Sequence, residues 1–112
     1  PVNEALNNLE AIIQSIARDY PLTEIKLLSI LPVNEGEEYK QTVYIRTNEK
    51  IQKWNQAYQE LASAYMQVEF VPVFDSLTDQ AGQLKKDYTT DGLHLSVAGY
   101  QVLTKSLKDY LL

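Results

Sequence analysis

"IKLLSILPV", residues 25–33, is the stretch that decides the fold, because Lys26 and Ser29 are the only polar members of an apolar run. A continuous apolar run of this length is typical of a strand in a parallel sheet, where helices cover both faces. The stretch therefore predicts a strand over Ile25–Leu31 that is mostly buried on both faces. It is too apolar for an edge that faces water, so the strand needs neighbours.

A helix is predicted directly before this strand, over residues 2–19. Asn3 is the candidate N-cap residue. Pro21 closes the segment, because the residue before a proline disfavours helical backbone. The apolar residues recur at helical spacing, so that one stripe of the helix faces a core: Leu6, Leu9, Ile12, Ile13, Ile16 and Tyr20.

A loop and a second helix are predicted after the strand. "NEGEEYKQT", residues 34–42, is polar and contains a glycine, which favours a loop. Residues 46–66 predict a helix that Thr47 or Asn48 could cap. Its apolar stripe consists of Ile51, Trp54, Tyr58, Leu61, Ala62 and Tyr65.

A second strand and a third helix continue the alternation. "VEFVPVF" predicts a strand over Val68–Val71 that ends at Pro72 or lies at an edge, because proline cannot donate to a ladder. Residues 75–95 show little regular pattern. A third helix, with Ser96 as its candidate cap, runs from there to the end of the chain, and its stripe consists of Val97, Tyr100, Leu103, Leu107 and Leu111.

Helix, strand, helix, strand, helix is the signature of a parallel α/β fold, and the two strands are expected to lie side by side. Two strands are too few for a stable open sheet, because each buried strand needs neighbours for its backbone groups. Either another chain completes the sheet or residues before Pro1 do so, and the second alternative is favoured. Residues 1–112 are therefore predicted to form a single partial domain, which is expected to be poorly stable or to associate as a homo-oligomer when isolated.

Composition and charge argue against several classes of function. With 10 basic and 15 acidic residues the net charge is −5, whereas a nucleic-acid partner requires a concentrated basic face. No apolar run approaches the length of a membrane span. The absence of cysteine excludes disulfides, thiolate metal sites and a cysteine nucleophile, but it leaves the compartment open. No signal peptide is visible, and a cytoplasmic location is favoured.

The only histidine of the chain, His94, lies in "YTTDGLHLSVAGY", residues 88–100, three residues after Asp91. Long loops beyond the carboxyl ends of parallel strands often bind ligands. A carboxylate that accepts the Nδ1–H of an imidazole fixes its tautomer, which leaves Nε2 free to take a proton from a hydroxyl nucleophile. Gly92 lets the backbone turn tightly enough for the carboxylate to reach the ring. The spacing alone favours a solvated histidine beside an aspartate that stabilises a turn. Its place in a long loop just before a helix favours a catalytic pair.

Two segments resemble a known family of hydrolases. "TTDGLHLSVAGY" closely resembles the last conserved block of the SGNH (GDSL-type) esterase and acylhydrolase family, and "IKLLSILPVNE" is similar to the strand that leads into its substrate-facing loop. More narrowly, the chain resembles the bacterial branch related to platelet-activating-factor acetylhydrolase. The resemblance implies the C-terminal part of a flavodoxin-like three-layer α/β/α fold. It also implies a serine ester hydrolase that cleaves a small acyl ester through an acyl-serine intermediate, without a cofactor.

The resemblance assigns roles to two residues of this chain. His94 would be the general base, and Asp91 would be its orienting partner. The nucleophile of the family lies in a Gly-Asp-Ser block, and its oxyanion-hole glycine and asparagine lie in two further blocks, all upstream of the region that this chain resembles. The missing N-terminal half of the same domain is therefore the expected partner, together with the ester substrate. No serine of this chain stands in a Gly-Asp-Ser context: Ser15, Ser29, Ser63, Ser76, Ser96 and Ser106.

Two other interpretations concern the same loop. Together with His94, four aspartates could suggest a metal site: Asp75, Asp79, Asp87 and Asp91. No metal is expected, because calcium loops need a tighter alternation of oxygen ligands and a single histidine is a poor zinc site. The alternative to the hydrolase is a non-catalytic α/β interaction module, in which the two-strand sheet pairs with another chain and His94 is structural.

Overall fold

The computed structural model describes residues 2–111, so that Pro1 and Leu112 lie outside the described residues. The helices are α1 (Val2–Asp19), α2 (Lys40–Val43), α3 (Asn48–Ser63) and α4 (Val97–Leu111), and the strands are β1 (Ile25–Leu28) and β2 (Val68–Val71). Short 3₁₀ turns lie at Glu37–Tyr39, Asp75–Leu77 and Lys86–Tyr88. None of the helices in this described part of the chain is long and apolar enough to cross a membrane.

The two strands form one parallel sheet, and α3 lies in the connection between them. In this register Ile25 is opposite Val68, and Leu28 is opposite Val71. The predicted α/β class and the predicted pair of parallel neighbours are therefore confirmed. Since the strands are parallel, their carboxyl ends meet at the same edge of the sheet, and the segments that leave β1 and β2 start side by side.

β1 is shorter and more exposed than the sequence predicts. The predicted strand over Ile25–Leu31 is wrong beyond Leu28. Ser29 still donates its N–H to the carbonyl oxygen of Val71, at 3.0 Å, but the next residues bond to side chains of α3. The predicted burial on both faces is also wrong, because the first three residues are half-buried and Leu28 is 37% exposed. In the described part of the chain β1 has a paired strand on one side only, so its other edge is open.

Two buried asparagines of α3 form hydrogen bonds with the backbone beyond the point where the pairing of β1 with β2 ends. The side-chain amide of Asn55 accepts the N–H of Ile30 at 2.6 Å and donates to the carbonyl oxygen of Ile30 at 3.0 Å. Asn48 does the same for Val33, at 2.8 and 2.7 Å. Each amide satisfies both backbone groups of one residue, as a neighbouring strand would. The two asparagines thereby hold residues 29–36, which we call the connector.

The first and last helices lie where the sequence predicts them, but their apolar stripes are less buried than the sequence predicts. Asn3 is wrong as an N-cap, because α1 already includes the residue before it. α1 ends at Asp19, ahead of Pro21, as predicted. The stripe of α1 is only partly buried, with Ile13 as its buried member. Several large apolar side chains of these predicted stripes are exposed. They lie in α1, directly after α1 and in α4: Ile12, Tyr20, Val97, Tyr100 and Leu111.

The segment between the strands is more helical than predicted over residues 34–42 and less helical at the ends of the predicted helix 46–66. The predicted loop over residues 34–42 is wrong in part, since it contains a 3₁₀ turn and most of α2. Exposed polar residues are compatible with a single turn of helix, and the buried residue of α2 is the apolar Val43. The predicted helix over residues 46–66 is shortened to α3. Thr47 is its N-cap, with a hydroxyl that accepts the N–H three residues later at 3.2 Å, and Asn48 is within the helix.

The core lies between α3, β2 and the irregular segment that follows β2. α3 packs on β2, α1 packs on α3, and α4 packs on the turns Asp75–Leu77 and Lys86–Tyr88. The described chain is thin, with extents of 45 × 33 × 20 Å and a radius of gyration of 15.2 Å, against about 13 Å for a compact domain of about this size. The buried apolar residues are Ile13, Val33, Val43, Ala62, Val71, Val73, Phe74, Leu77 and Leu84.

The isolated 112-residue chain is predicted to associate in solution. The open edge of β1 lies next to the exposed side chain of Leu28, and open apolar edges pair with other strands. Sedimentation velocity should therefore show concentration-dependent association. A Leu28→Lys variant is the control, because a charge at this edge should shift the population toward monomer. A compact wild-type monomer that melts cooperatively, with an enthalpy of about 0.7 kcal/mol per residue near ~60 °C, would contradict the prediction.

Candidate active site

Backbone hydrogen bonds close the base of the loop that contains the histidine, residues 89–95, which we call the dyad loop. Thr89 and Leu95 form an isolated antiparallel bridge. Next to this bridge, Ser96 donates its N–H to the carbonyl oxygen of Tyr88 at 2.8 Å. The loop lies between the last 3₁₀ turn and α4, which pack on each other. The dyad loop therefore has a fixed base, from which its polar side chains project.

Within the dyad loop, Asp91 binds the ring of His94. The Nδ1 atom of His94 lies 2.6 Å from Oδ2 of Asp91. The other carboxylate oxygen, Oδ1, accepts the backbone N–H groups of Leu93 at 2.9 Å and of His94 at 2.7 Å. Because both oxygens are engaged, the carboxylate is fixed in orientation, and the ring is fixed with it. The structure brings together the two residues that the sequence pairs, and their catalytic role stays a prediction.

The His94 ring is open to solvent. The side chain of His94 is 74% exposed, and that of Asp91 is 33% exposed. Among the hydrogen bonds of residues 2–111, none reaches Nε2 of the ring. A structural histidine in a protein core is buried, and both of its ring nitrogens are hydrogen-bonded. In His94, Nε2 is accessible to a group that approaches the ring. The geometry suits a base that acts on a partner from outside the loop.

The hydrogen bonds to Asp91 lower the pKa of its carboxyl group well below the ordinary value of 3.8. The His94 ring is the largest cause, followed by the backbone N–H groups of His94 and Leu93. All three donors favour the charged form. Asp91 is therefore a carboxylate near neutral pH and can only accept a proton from Nδ1. In the neutral ring this fixes the tautomer in which Nε2 is the proton acceptor.

Gly92 joins the dyad loop to the connector. Its φ angle is +82°, in the region that favours glycine. Its carbonyl oxygen accepts the N–H of Asn34 at 2.9 Å. A Cβ atom at this position would lie 2.5 Å from the Cβ atom of Tyr39 and 3.1 Å from the carbonyl oxygen of Asn34. Both the backbone conformation and the space therefore require glycine here, as the predicted tight turn does.

The connector has further polar anchors on the side of the chain that follows β2. Asn34 is buried, and its Nδ2 donates to the carbonyl oxygen of Leu84 at 2.7 Å. The side chain of Gln83 accepts the N–H of Glu35 at 2.8 Å and donates to the carboxylate of Glu35 at 3.0 Å. These bonds tie the connector to the irregular segment from which the dyad loop emerges.

The sequence interpretation missed the residues that hold the site in place. Asn48 and Asn55 belong to neither the predicted core nor the predicted site, although both are buried. The available signal was their spacing, because these two residues and the buried Ala62 recur every seven residues on one face of α3. Thr89, which is also buried, carried no comparable signal, since a threonine in a polar loop is ordinary.

An apolar groove of about 450 Å³ lies beside the dyad loop. Leu93, the neighbour of His94 in sequence, is one of the residues that line it. Arg46 and Lys50 are the basic residues among the lining. A groove at the carboxyl end of a strand can take an apolar part of a ligand. The other main lining residues come from the connector, the segment before α3 and α3 itself: Leu31, Val33, Ile45, Ile51 and Trp54.

None of the serine hydroxyls of the described residues makes a hydrogen bond with the His94 ring. Ser29 is buried and accepts the N–H of Val73 at 3.0 Å. Ser96 donates to the carbonyl oxygen of Asp87 at 3.0 Å. Over residues 2–111, no three histidine, aspartate or glutamate side chains converge so as to hold a metal ion. The described residues thus bring Asp91 and the His94 ring together, without a serine hydroxyl bonded to the ring.

The sequence matches a family of known hydrolases over most of its length. Residues 1–102 match the model of the GDSL-like Lipase/Acylhydrolase family. This match ends eight residues after His94, so it includes the whole dyad loop. No curated protein is similar to the chain at a significant level.

Three of the solved structures that are similar to this chain each match 98% or more of it. A protein from Streptococcus pneumonia, described as a platelet activating factor, is 89% identical with a TM-score of 0.98, over 100% of this chain and 52% of its own. A Bacteroides fragilis protein described as an acylhydrolase is 18% identical with a TM-score of 0.77, over 98% of this chain and 51% of its own. A GDSL-like lipase from Bacteroides thetaiotaomicron is 22% identical with a TM-score of 0.73, over 98% and 52%. The two Bacteroides structures show a shared fold alone, and the chain spans about half the length of each structure.

Replacing Gly92 by alanine is predicted to destabilise the full-length protein more than the same change at Gly82. The φ angles are +82° and +76°, so both variants carry the left-handed backbone penalty of about 1–2 kcal/mol. Around Gly82 no atom of the described residues lies within 4 Å of the added Cβ, whereas at Gly92 Tyr39 lies at 2.5 Å. The extra loss in the free energy of unfolding, measured with urea, should be about 1–3 kcal/mol. Equal losses in the two variants would contradict the packing argument.

The carboxyl group of Asp91 is predicted to titrate below pH 3.8 in the native protein, and closer to that value in a His94→Ala variant. The ring is the largest cause of the lowered pKa, and the variant removes it. Because the native pKa is lower than that of the unfolded chain, the stability that Asp91 contributes is present above pH 3.8 and is lost as the pH falls below it. Carbon-13 NMR of the side-chain carboxyl during an acid titration measures the midpoint. An identical midpoint in the variant would refute the ring as the main cause.

Proposed function

This chain belongs to the GDSL-like lipase/acylhydrolase family, and from that membership we propose that the intact protein is a serine ester hydrolase with His94 as its general base. Asp91 orients the base. The serine nucleophile and the oxyanion hole come from the part of the domain that this chain does not include. The described chain would then be the C-terminal half of the hydrolase domain.

The observation that carries this proposal is the 2.6 Å contact of Asp91 with Nδ1 on a ring whose other nitrogen is exposed. Nε2 of His94 takes the proton of the serine hydroxyl as the oxygen attacks the ester carbonyl, and the proton then passes to the leaving alcohol. Water, activated in the same way, hydrolyses the acyl-serine. Asp91 stays ionised and stabilises the imidazolium. No step requires a cofactor.

Three features support a nucleophile that comes from the rest of the domain. The chain spans about half the length of the solved structures that it matches, so those proteins contain a further segment of similar size. The open edge of β1 offers a place where a strand of that segment would pair. The Gly-Asp-Ser sequence expected around the nucleophile is absent from this chain.

The proposed substrate is a small acyl ester, such as an acetyl ester. Its support is the 89% identity to the Streptococcus pneumonia protein that is described as a platelet activating factor. The apolar groove next to Leu93 adds to it, because an ester presents an apolar part close to its reactive carbonyl. Both observations concern the class of ligand. The preferred acyl group is determined by measuring kcat/KM on a series of esters that differ in acyl chain.

In the full-length protein, His94→Ala is predicted to remove nearly all hydrolysis of p-nitrophenyl acetate while the fold stays intact, because the exposed ring contributes little packing. Asp91→Asn is predicted to lower kcat by up to about 10⁴-fold, since an amide can donate to Nδ1 and so favour the wrong tautomer. Steady-state kinetics measure both effects, and far-UV circular dichroism confirms the fold.

Asp87→Asn is the matched control, because Asp87 is an exposed carboxylate that shortly precedes the dyad loop. It should leave kcat/KM unchanged. The 112-residue chain alone should show no turnover above that of free imidazole, since it lacks both the nucleophile and the oxyanion hole. A His94→Ala protein with unchanged kcat/KM would overturn the hydrolase assignment and favour the non-catalytic interaction module.

A further inference from the structure

We propose that Thr89 is a positioning residue for the dyad, whose buried hydroxyl fixes the two peptide units next to Asp91 and His94 and thereby sets the orientation of the base. The kinetic consequence of this inference rests on the proposed hydrolase function. Its geometric part concerns the dyad loop alone and can be tested without turnover.

The hydroxyl of Thr89 bridges the dyad loop from the inside. Thr89 is 5% exposed. Its Oγ1 donates to the carbonyl oxygen of His94 at 2.6 Å and accepts the N–H of Gly92 at 2.9 Å. A hydroxyl has a single proton to donate, and here it serves His94 while a lone pair serves Gly92. One side chain therefore contacts the backbone at both catalytic positions.

The two hydrogen bonds act on the peptide units that orient the catalytic side chains. The N–H of Gly92 belongs to the peptide unit that follows Asp91, and the carbonyl oxygen of His94 belongs to the unit that follows His94. Fixing these peptide planes restricts the backbone rotation about the Cα atoms of Asp91 and His94. It therefore restricts the directions in which their Cβ atoms point. The 2.6 Å contact between carboxylate and ring needs both directions at once.

Threonine suits this position because its β-branched side chain is confined to few χ1 rotamers, which holds the hydroxyl where both bonds form. Removing the hydroxyl would leave two backbone groups inside the loop without their partner. The backbone bridge between Thr89 and Leu95 would still close the base of the loop. The loss should therefore loosen the dyad without opening the loop.

The test compares Thr89→Val, Thr89→Ser and Thr90→Val in the full-length protein, with p-nitrophenyl acetate as substrate. Valine keeps the shape of threonine and removes the hydroxyl, whereas serine keeps the hydroxyl. Thr90 is the exposed neighbour, so Thr90→Val controls for the same chemical change. Thr89→Val should lower kcat by about 10²-fold with little change in KM, because a misplaced base affects the transition state more than binding. Thr89→Ser should restore most of kcat, and Thr90→Val should match the wild type.

A second readout is independent of activity. The His94 ring proton shared between Nδ1 and Asp91 should give a resolved low-field NMR signal in the wild type. The signal should be lost or broadened in Thr89→Val and return in Thr89→Ser, at a temperature where circular dichroism shows that the variants are folded. If the valine variant does not fold, Thr89→Ala provides the comparison without a hydroxyl.

The two readouts separate this inference from the proposed function. An unchanged ring-proton signal in Thr89→Val, or equal losses of kcat in Thr89→Val and Thr89→Ser, would overturn the positioning role. If the full-length protein hydrolyses no ester, the proposed function fails, and the ring-proton signals of the three variants still decide the role of Thr89. A signal that is lost with valine and restored with serine supports it.

Discussion

The backbone of the connector leaves the sheet and still needs hydrogen-bond partners, and the rest of the site depends on how these are supplied. A buried N–H or C=O group without a partner costs about 1–3 kcal/mol. Asn48 and Asn55 of α3 satisfy four backbone groups, two on the buried Val33 and two on the half-buried Ile30. The connector is thereby held to a rigid helix in place of a neighbouring strand, and its path beyond β1 is set.

The position of the dyad loop follows from the position of the connector. Asn34 of the connector donates its N–H to the carbonyl oxygen of Gly92, and Tyr39 lies where a larger residue at position 92 would place its Cβ. Asp91 and His94 flank this contact in sequence, so the positions of these two residues depend on α3 through two sets of hydrogen bonds. The open edge of β1 and the accessible Nε2 of His94 both leave polar groups without a partner among the described residues.

The sequence predicted those features whose determinants are local. The helices and strands follow from spacings of apolar residues within single segments, and the pairing of Asp91 with His94 follows from a separation of three residues around a glycine. The end of β1 at Leu28 could not be predicted, because the partners that replace the ladder are 15 and 25 residues away and are polar. The exposed Val97 and Tyr100 show the same limit, since an apolar stripe predicts a covered face and does not say which segment covers it.

The amides of Asn48 and Asn55 also make the connector sensitive to a change of one atom. In each of these two asparagines, Oδ1 accepts a backbone N–H group and Nδ2 donates to a backbone carbonyl oxygen. Deamidation keeps the shape of the side chain but turns the donor into a second acceptor, so that a charged carboxylate would face a carbonyl oxygen within the fold. Chemical ageing at either asparagine, far in sequence from His94, is thus a route by which the molecule would lose the support of its dyad while its shape at that position stays nearly the same.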